Sequence, residues 1–378
     1  MNKDPQHGRR TALAAMLAGL GGGMSGLSLP SLAQGTGSKA ALVSPQAWSL
    51  VEAAGKKEGT VVFYHNISPP GGEMVVKEFR KEFPGIEVQA TRFASSALIE
   101  RFSTEFSAGR NLADAVLTVP DERMFDGAKA GWMAAWVPPE AKNYPASVNW
   151  NGQNMLFHID TAREAIIWNK RRVRPADAPK DWTDLFDPKW KGRVGMNPPW
   201  RSVGPQAVIA LWEKLGYGDT AAKLKANNVR FFEGSGGLLQ AVLRGDIDVA
   251  QISDLPLNVA LQDGAPIGFV YSSIANVMSL GWAYVAAKAP RPNAAKVFVN
   301  WLLSGRGQIM IQAYAGLPGS RPGIPPLSHL PPTASLANPI DGLTMIPPAK
   351  QKQIVDHWRS TFGLLYCLPC IILNLPPR

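Results

Sequence analysis

The chain has 378 residues and a formal net charge of +10, with 46% hydrophobic and only 18% charged residues. This length is ample for two domains with sizeable cores, and the plentiful apolar residues exclude an intrinsically disordered protein. The 36 glycines and 32 prolines follow no three-residue period, which excludes collagen, and two cysteines cannot form a disulfide framework or a four-ligand zinc site.

The first 33 residues have the layout of a secretory signal. Arg9 and Arg10 precede the apolar stretch TALAAMLAGLGGGMSGLSL, and the sequence SLA at 31–33 offers a small-x-small cleavage site. The adjacent arginines also resemble a twin-arginine signal. The alternative is a retained membrane anchor, for which this glycine-rich stretch is poorly suited. We therefore predict an exported protein whose mature chain begins at Gln34.

The mature chain begins with alternating strand and helix patterns. Short apolar runs bounded by turn residues predict strands at Thr60–Tyr64, Ile86–Ala90 and Ala113–Val119. Apolar residues at helical spacing predict helices at Glu73–Phe83 and Ser96–Ala108. This alternation predicts a parallel sheet that is covered by helices on both faces.

The same alternation returns after a proline-rich connection at residues 136–145. Strands are predicted in AREAIIWNK, RVGMN, VRFFEG, DVAQISD, PIGFVYS and GWAYVAAKA. Helices are predicted in DWTDLFDPKW, at Gly204–Leu215, from Ser235 onward, and as one long apolar helix over Asn293–Tyr314. The whole pattern indicates an α/β protein with two lobes.

Four segments in order carry a family resemblance: EGTVVFYHNISP, FASSALIERFSTEFSAGRNLADAVLT, DAPKDWTDLFDPKWKGRVGM and PNAAKVFVNWLLSGRGQ. Together they resemble the extracellular solute-binding proteins of ABC importers, in the branch of ferric-iron, thiamine, polyamine and hexose-phosphate receptors. The resemblance extends from about Lys57 to about Phe362. It implies an α/β, two-lobe, type II-like periplasmic-binding-protein fold. In that fold each lobe is a mostly parallel sheet flanked by helices, and a hinge of crossing strands joins the lobes.

The resemblance also implies a discontinuous division of the chain. Residues 34–159 would form the first part of lobe 1, residues 160–282 lobe 2, and residues 283–362 the second part of lobe 1 with a closing helix. The apolar tail at 363–378 resembles nothing in the family. Its Cys367 and Cys370 form a C-x-x-C pair without the strand and helix that a thioredoxin-like site needs, so we predict no redox or metal function for them.

The loops between strands and helices supply the candidate ligand-binding residues. In open α/β sheets, ligands bind beyond the carboxyl ends of the strands, where helix N-termini favour anions. The predicted ligand-binding residues are Asn66, Ser68, Ser95, Ser96, Trp200, Arg201, Ser202, Ser235, Gly236, Asp254 and Tyr271. The alternatives stay open: serine pairs also cap helices, glycines also make turns, and Asp254 could be a helix N-cap or bind an amine.

Arg201 is the central candidate among these residues. Its guanidinium is a planar pair of donors that matches a carboxylate or a phosphate. Trp200 beside it could stack on a flat ligand. The alternative is an exposed arginine next to a tryptophan of the core.

The sequence speaks against ferric iron held by tyrosines. Iron receptors of the branch it resembles typically use two adjacent tyrosines plus a histidine or carboxylate. His65 follows the first strand, where such a histidine is expected, but no two of the seven tyrosines are adjacent. The expected region reads SDLPL at 253–257 instead. We predict no bound metal and no cofactor.

Catalytic and nucleic-acid-binding signatures are missing. The chain has no G-x-S-x-G, P-loop or H-E-x-x-H motif, so we predict no enzyme activity. A secreted hydrolase or lyase, with His65 or His158 as its base, is the remote alternative. The positive charges are scattered apart from a run at 170–174, so we predict no nucleic-acid partner.

The sequence as a whole predicts a periplasmic, monomeric receptor. It would close around a small anionic solute, a carboxylate or phosphate compound, and present it to an ABC permease in the inner membrane. Two alternatives remain within binding proteins. One is a receptor for a cationic amine or an iron chelate, and the other is a ligand sensor for a membrane kinase.

Overall fold

The computed structural model describes residues 44–67, 69, 71–149 and 152–364. The predicted signal segment, Ser68 and both cysteines of the tail lie outside these residues. The helices are α1 (Pro45–Glu58), α2 (Gly71–Glu82), α3 (Ser95–Ser107), α4 (Glu122–Lys129), α5 (Val203–Lys214), α6 (Thr220–Ala226), α7 (Gly234–Arg244), α8 (Leu257–Gln262), α9 (Pro292–Leu303), α10 (Gly305–Met310) and α11 (Pro348–Thr361). The strands are β1 (Thr60–His65), β2 (Glu87–Arg92), β3 (Ala115–Thr118), β4 (Phe157–Asn169), β5 (Val194–Met196), β6 (Arg230–Phe231), β7 (Val249–Ser253), β8 (Ile267–Val270), β9 (Asn276–Val285) and β10 (Pro339–Asp341).

The strands of the described residues form a sheet in the order β2-β1-β3-β9-β4-β7-β5-β6, with β10 beside β9 and β8 beside β4. The pairs at both ends are parallel: β1 with β2 and β3, and β5 with β6 and β7. The central pairs are antiparallel, because β9 runs against β3 and β4, and β4 runs against β7. The predicted α/β architecture with mostly parallel strands is confirmed.

Strand β4 links the two ends of the sheet. Its first part, up to Arg163, pairs with β9, and its second part, from Glu164, pairs with β7. The same second part also pairs with β8 along its other edge. Arg163 and Glu164 are therefore the point at which β4 changes partners.

Separate apolar clusters lie at the two ends of the sheet. At one end, α2 and α9 cover β1 and β3, with Phe63, Phe79 and Phe298 packed edge to face. At the other end, α5 covers β5 and β7, with Trp182 and Trp212 fully buried. Burial of each large apolar side chain contributes roughly 1.5–3 kcal/mol to the stability of the fold. Each end of the sheet therefore has its own stabilising core.

The helix predicted over Asn293–Tyr314 is wrong in one respect, because the structure breaks it at Ser304. That residue has an extended backbone, and its hydroxyl accepts a hydrogen bond at 3.0 Å from the backbone N–H of Gly307. Ser304 thus ends α9 and caps α10. The capping serine and the two glycines that follow favour a new helix start over continuation.

The last helix packs on the second end of the sheet, although the predicted division placed residues 283–362 in lobe 1. Ile354 and Trp358 of α11 are buried in the cluster that contains α5, and β10 pairs with the start of β9. The two apolar residues lie four positions apart, so α11 presents one face to that core.

None of the helices in the described part of the chain has the length and apolar character needed to cross a membrane.

Candidate functional site

A cavity of about 210 Å³ lies where β4 connects the two ends of the sheet. The loop after β1 and the start of α3 form one wall. The starts of α5 and α7 form the opposite wall, and the middle of β4 lies between them. Segments that are far apart in the chain therefore meet at the carboxyl ends of the strands, as expected for an α/β sheet.

Three helices begin at this cavity without a side-chain cap. Their N-cap residues are Ala94 for α3, Ser202 for α5 and Glu233 for α7, and none of these side chains accepts a hydrogen bond from its helix. Elsewhere, α1, α4, α6 and α10 are capped by Ser44, Asp121, Asp219 and Ser304. Helices α8, α9 and α11 also lack a cap from their own N-cap residue, but none of their residues lines this cavity. Unpaired N–H groups from three converging helix starts create a positive potential that favours an anion.

Amide and hydroxyl groups line the cavity between these helix starts. The Asn66 amide donates to the Ser95 hydroxyl at 3.0 Å, and the Ser235 hydroxyl donates to the Asn197 side-chain oxygen at 3.3 Å. The Asn197 amide is fixed in turn by the Phe232 carbonyl at 2.8 Å. These bonds orient donors and acceptors on both walls while leaving further hydrogen-bonding capacity for a ligand.

The charged groups at the rim are two arginines and one glutamate. Arg201 is 67% exposed, and its Nε lies 3.7 Å from the carboxylate of Glu233, which is 75% exposed. Such exposed pairs contribute about 0–1 kcal/mol, so Arg201 can exchange this partner for a ligand. Arg92 also lines the cavity, and its Nε donates to the Ile67 carbonyl at 3.2 Å.

Glu164 is the one carboxyl group in the interior of the described cavity wall. Glu164 is only 2% exposed. The Gln251 side-chain amide donates a hydrogen bond to Oε2 of Glu164 at 2.5 Å. Oε1 lies against Gly204, the second residue of α5, where any Cβ atom would overlap it. Burial, and then the charge of Asp254, raises the pKa of Glu164 to about 8. A large fraction of this carboxyl group is therefore protonated near neutral pH.

Asp254 and Tyr271 do not line the cavity, contrary to the expectation that they contact the ligand. Asp254 is fully buried, and its carboxylate accepts from the Arg163 backbone N–H at 2.9 Å and from Arg163 Nε at 2.5 Å. The Tyr271 hydroxyl donates to the same carboxylate at 2.7 Å. Burial, followed by the charge of Asp254, raises the pKa of Tyr271. The ion pair with Arg163 occupies Asp254, which leaves it unavailable to an amine.

Six of the predicted residues line the cavity: Asn66, Ser95, Ser96, Arg201, Ser202 and Ser235. Trp200 instead packs edge to face on Phe231 at 4.9 Å and belongs to the second core. Gly236 lies in the first turn of α7 outside the cavity wall. Ser68 is not among the described residues.

Sequence reasoning missed Arg92, Glu233 and Glu164 of the cavity wall. Arg92 ends a parallel strand, so the rule that selected the serines could have found it. Glu164 gave no such signal, because it lies inside a predicted apolar strand.

Neither histidine offered as a catalytic base lines this cavity. His65 stacks on Phe63 beneath Gly72 of α2, and burial, followed by the charge of Arg92, lowers its pKa to about 4. His158 is held by the Asp160 carbonyl, to which its Nε2 donates at 2.8 Å, and burial lowers its pKa to about 4. Within the residues that the structure describes, no group of three potential ligands could hold a metal ion.

The fold and the cavity define a receptor for a small solute, and the comparison with protein families agrees. Residues 74–338 match the family of bacterial extracellular solute-binding proteins, and the chain belongs to this family. The predicted family, the two-lobe fold and the absence of an enzymatic role are thereby confirmed.

Two relatives of known or assigned ligand are similar in sequence to this chain. The chain is 26% identical over 285 residues to an Fe(3+)-binding periplasmic protein of Serratia marcescens, covering 69% of this chain and 78% of the relative. It is 28% identical over 246 residues to a Salmonella typhimurium protein whose name assigns it 2-aminoethylphosphonate binding, covering 62% and 70%.

Solved structures share the fold. The substrate-binding protein of an ABC transporter from Agrobacterium tumefaciens superposes with a TM-score of 0.71 at 17% identity, covering 80% of this chain and 94% of that one. AfuA from Actinobacillus pleuropneumoniae, with fructose-6-phosphate bound, gives a TM-score of 0.70 at 19% identity, covering 81% and 99%. At these identities the likeness concerns the fold alone.

Proposed function

We propose that the protein captures a small anionic solute, a carboxylate or phosphate compound, in this cavity and delivers it to an ABC permease of the inner membrane. The convergence of three uncapped helix starts on one cavity carries this proposal. Arg201 at the rim would supply the charge-assisted hydrogen bonds, and the serine hydroxyls and asparagine amides would complete the anion's shell. The positive net charge of the chain would assist the encounter with an anion.

Two findings about other proteins support an anion. One relative is named for a phosphonate, and one structure of the same fold holds a sugar phosphate. An amine-bearing solute is the second candidate, favoured by Glu164 and Glu233 in the cavity wall. The iron-binding relative keeps a ferric chelate among the ligands to be tested.

Binding would act through closure of the two lobes. The cavity draws its walls from both ends of the sheet, and β4 and β9 run between them. A solute that contacts both walls stabilises the closed arrangement by its differential affinity, and a permease can recognise that arrangement. The proposal includes export with cleavage after residue 33, a monomeric state, and lobes that divide near residues 159 and 282, with α11 packed on the second lobe.

A thermal-shift screen of the mature protein tests the ligand class. The panel contains organic acids, sugar phosphates, phosphonates, polyamines and ferric salts. A ligand at 100-fold its dissociation constant stabilises the folded state by about 2.7 kcal/mol. Stabilisation by anions supports the proposal, whereas a shift with polyamines or ferric salts alone contradicts it.

The variant Arg201→Ala tests the site itself. Loss of a charged hydrogen-bond donor costs about 1.5–3 kcal/mol, so affinity for the anion should fall at least about 10-fold by isothermal titration calorimetry. Arg174→Ala is the matched control, since Arg174 is exposed and pairs with Asp177 away from the cavity. Unchanged affinity in Arg201→Ala would exclude Arg201 from the site.

A further inference from the structure

We propose that Glu164 is a ligand-binding residue that donates a hydrogen bond from its protonated carboxyl group to the bound anion. Binding of the solute would then require one proton on the protein. This inference rests on the proposed function, because it specifies how the same cavity recognises an anion.

The position of Glu164 supports a direct contact with the solute. It lies at the point where β4 changes from β9 to β7, and it lines the cavity while Arg163, the preceding residue, binds Asp254. Successive side chains of a strand point to opposite faces, so Glu164 faces the cavity and Arg163 faces Asp254. Among the described residues, no ion pair involves Glu164.

The two carboxyl oxygens of Glu164 have different neighbours. Oε2 accepts the hydrogen bond from Gln251, so this oxygen acts as an acceptor. Oε1 lies beside Gly204 at the start of α5, in the part of the wall where the helix attracts an anion. An ionised Oε1 would repel that anion, whereas a protonated Oε1 would donate a hydrogen bond to it.

The charges around Glu164 favour the protonated form. Asp254 behind the strand opposes a second negative charge, although Arg163 neutralises part of its effect. The Tyr271 hydroxyl is directed to Asp254 and not to Glu164. On the cavity side, Arg92, Arg201, the start of α5 and the Gln251 amide favour ionisation and Glu233 opposes it, but Arg201 and Glu233 are exposed at the rim. An ionised carboxylate that is buried without a cation costs several kcal/mol, so burial dominates.

Proton balance follows directly from this arrangement. When the carboxyl group is already protonated, the anion binds without net proton exchange. When it is ionised, binding takes up one proton from solvent. This proton forms the O–H bond of Glu164, and the O–H group then donates a hydrogen bond to an oxygen of the solute. The affinity for an anion should therefore fall as pH rises through the pKa of about 8.

Calorimetric titration of the mature protein with inorganic sulfate and with succinate tests this inference. Both probes keep a constant charge between about pH 7 and pH 9, so only the protein titrates. The wild-type protein should bind about 10-fold more weakly at pH 9 than at pH 7, and near pH 8 it should take up protons in buffers of different ionisation enthalpy. Glu164→Gln keeps a neutral donor and should bind with nearly the same affinity at both pH values. Glu122→Gln, the matched control, removes an exposed carboxylate away from the cavity and should keep the wild-type pH dependence.

The outcomes separate this inference from the proposed function. Equal pH dependence in the wild type and Glu164→Gln, or proton release on binding, overturns the role of Glu164 while anion binding stands. Failure of both anions to bind at pH 7 contradicts the proposed function and the inference with it. If Glu164→Gln does not fold, infrared difference spectra of the wild type at about pH 8 decide. A gain of the protonated-carboxyl band on adding sulfate supports the inference, and no gain overturns it.

Discussion

Arg163 and Glu164 are consecutive residues of β4, yet the buried carboxyl groups on their two sides of the strand differ in how they are paired. The Asp254 carboxylate beside Arg163 is bound by a guanidinium, a backbone N–H and a tyrosine hydroxyl. The Glu164 carboxyl has one amide partner and faces a cavity. Removing one partner of a buried ion pair leaves an unpaired charge and is strongly destabilising, whereas a buried acid without a cation is available to a ligand. Three variants test this contrast.

The largest effect is expected from Arg163→Met, which leaves the Asp254 carboxylate buried without its cation. Breaking a buried ion pair from one side costs about 3–5 kcal/mol, which urea denaturation would measure as a lower free energy of unfolding. The control Arg174→Met removes an exposed arginine and should cost no more than about 1 kcal/mol. Equal losses in the two variants would show that the Arg163–Asp254 pair contributes no special stability.

A smaller, pH-dependent effect is expected from Glu164→Gln. The folded-state pKa of Glu164, about 8, lies above the unfolded value of 4.5, so wild-type stability from this group is lost as pH rises between these values. Glutamine does not titrate, so the variant should gain about 3 kcal/mol relative to the wild type between about pH 5.5 and pH 8. Burial raises the pKa of Asp160 to about 7 and lowers that of His158 to about 4, but both groups titrate in both proteins, so their contributions cancel in the difference. A pH-independent difference in the free energy of unfolding would show that Glu164 is ionised throughout.

The smallest of the three effects concerns Gly204→Ala. The new Cβ would overlap the Glu164 carboxyl group and push it into the cavity, so stability should fall by about 1–3 kcal/mol and anion affinity by about 10-fold. Gly237→Ala is the matched control, because its Cβ would meet no atom within 4 Å in the first turns of α7. That control should be neutral or stabilise by about 0.5–1 kcal/mol. An unchanged affinity for the anion in Gly204→Ala would show that Glu164 does not contact the bound anion.

Local patterns sufficed for most of the strands, for helices α2, α3, α5, α7 and α9, and for part of the site. The serines at 95 and 96, Arg201 and Ser235 follow strand ends, and the geometry of parallel strands brings such loops to one edge of the sheet. Ser304 was the local signal that the prediction overlooked, since its capping role divides an apolar run into two helices.

Long-range pairing accounts for what the sequence could not predict. Glu164 reads as a polar residue in an apolar strand, and only the change of partner from β9 to β7 brings it to the cavity. Asp254 looked available for an amine because its partner Arg163 is 91 positions away in the chain. The burial of α11 against α5 likewise depends on contacts that no local pattern contains.

Crystals of the mature protein grown with selenate would test the central claim most directly, because selenium locates the anion by its anomalous scattering. We expect one strong peak in the cavity, within hydrogen-bonding distance of Glu164 and of backbone N–H groups at the starts of α3, α5 and α7. An empty cavity at saturating selenate, or a peak bound only elsewhere on the surface, would contradict it.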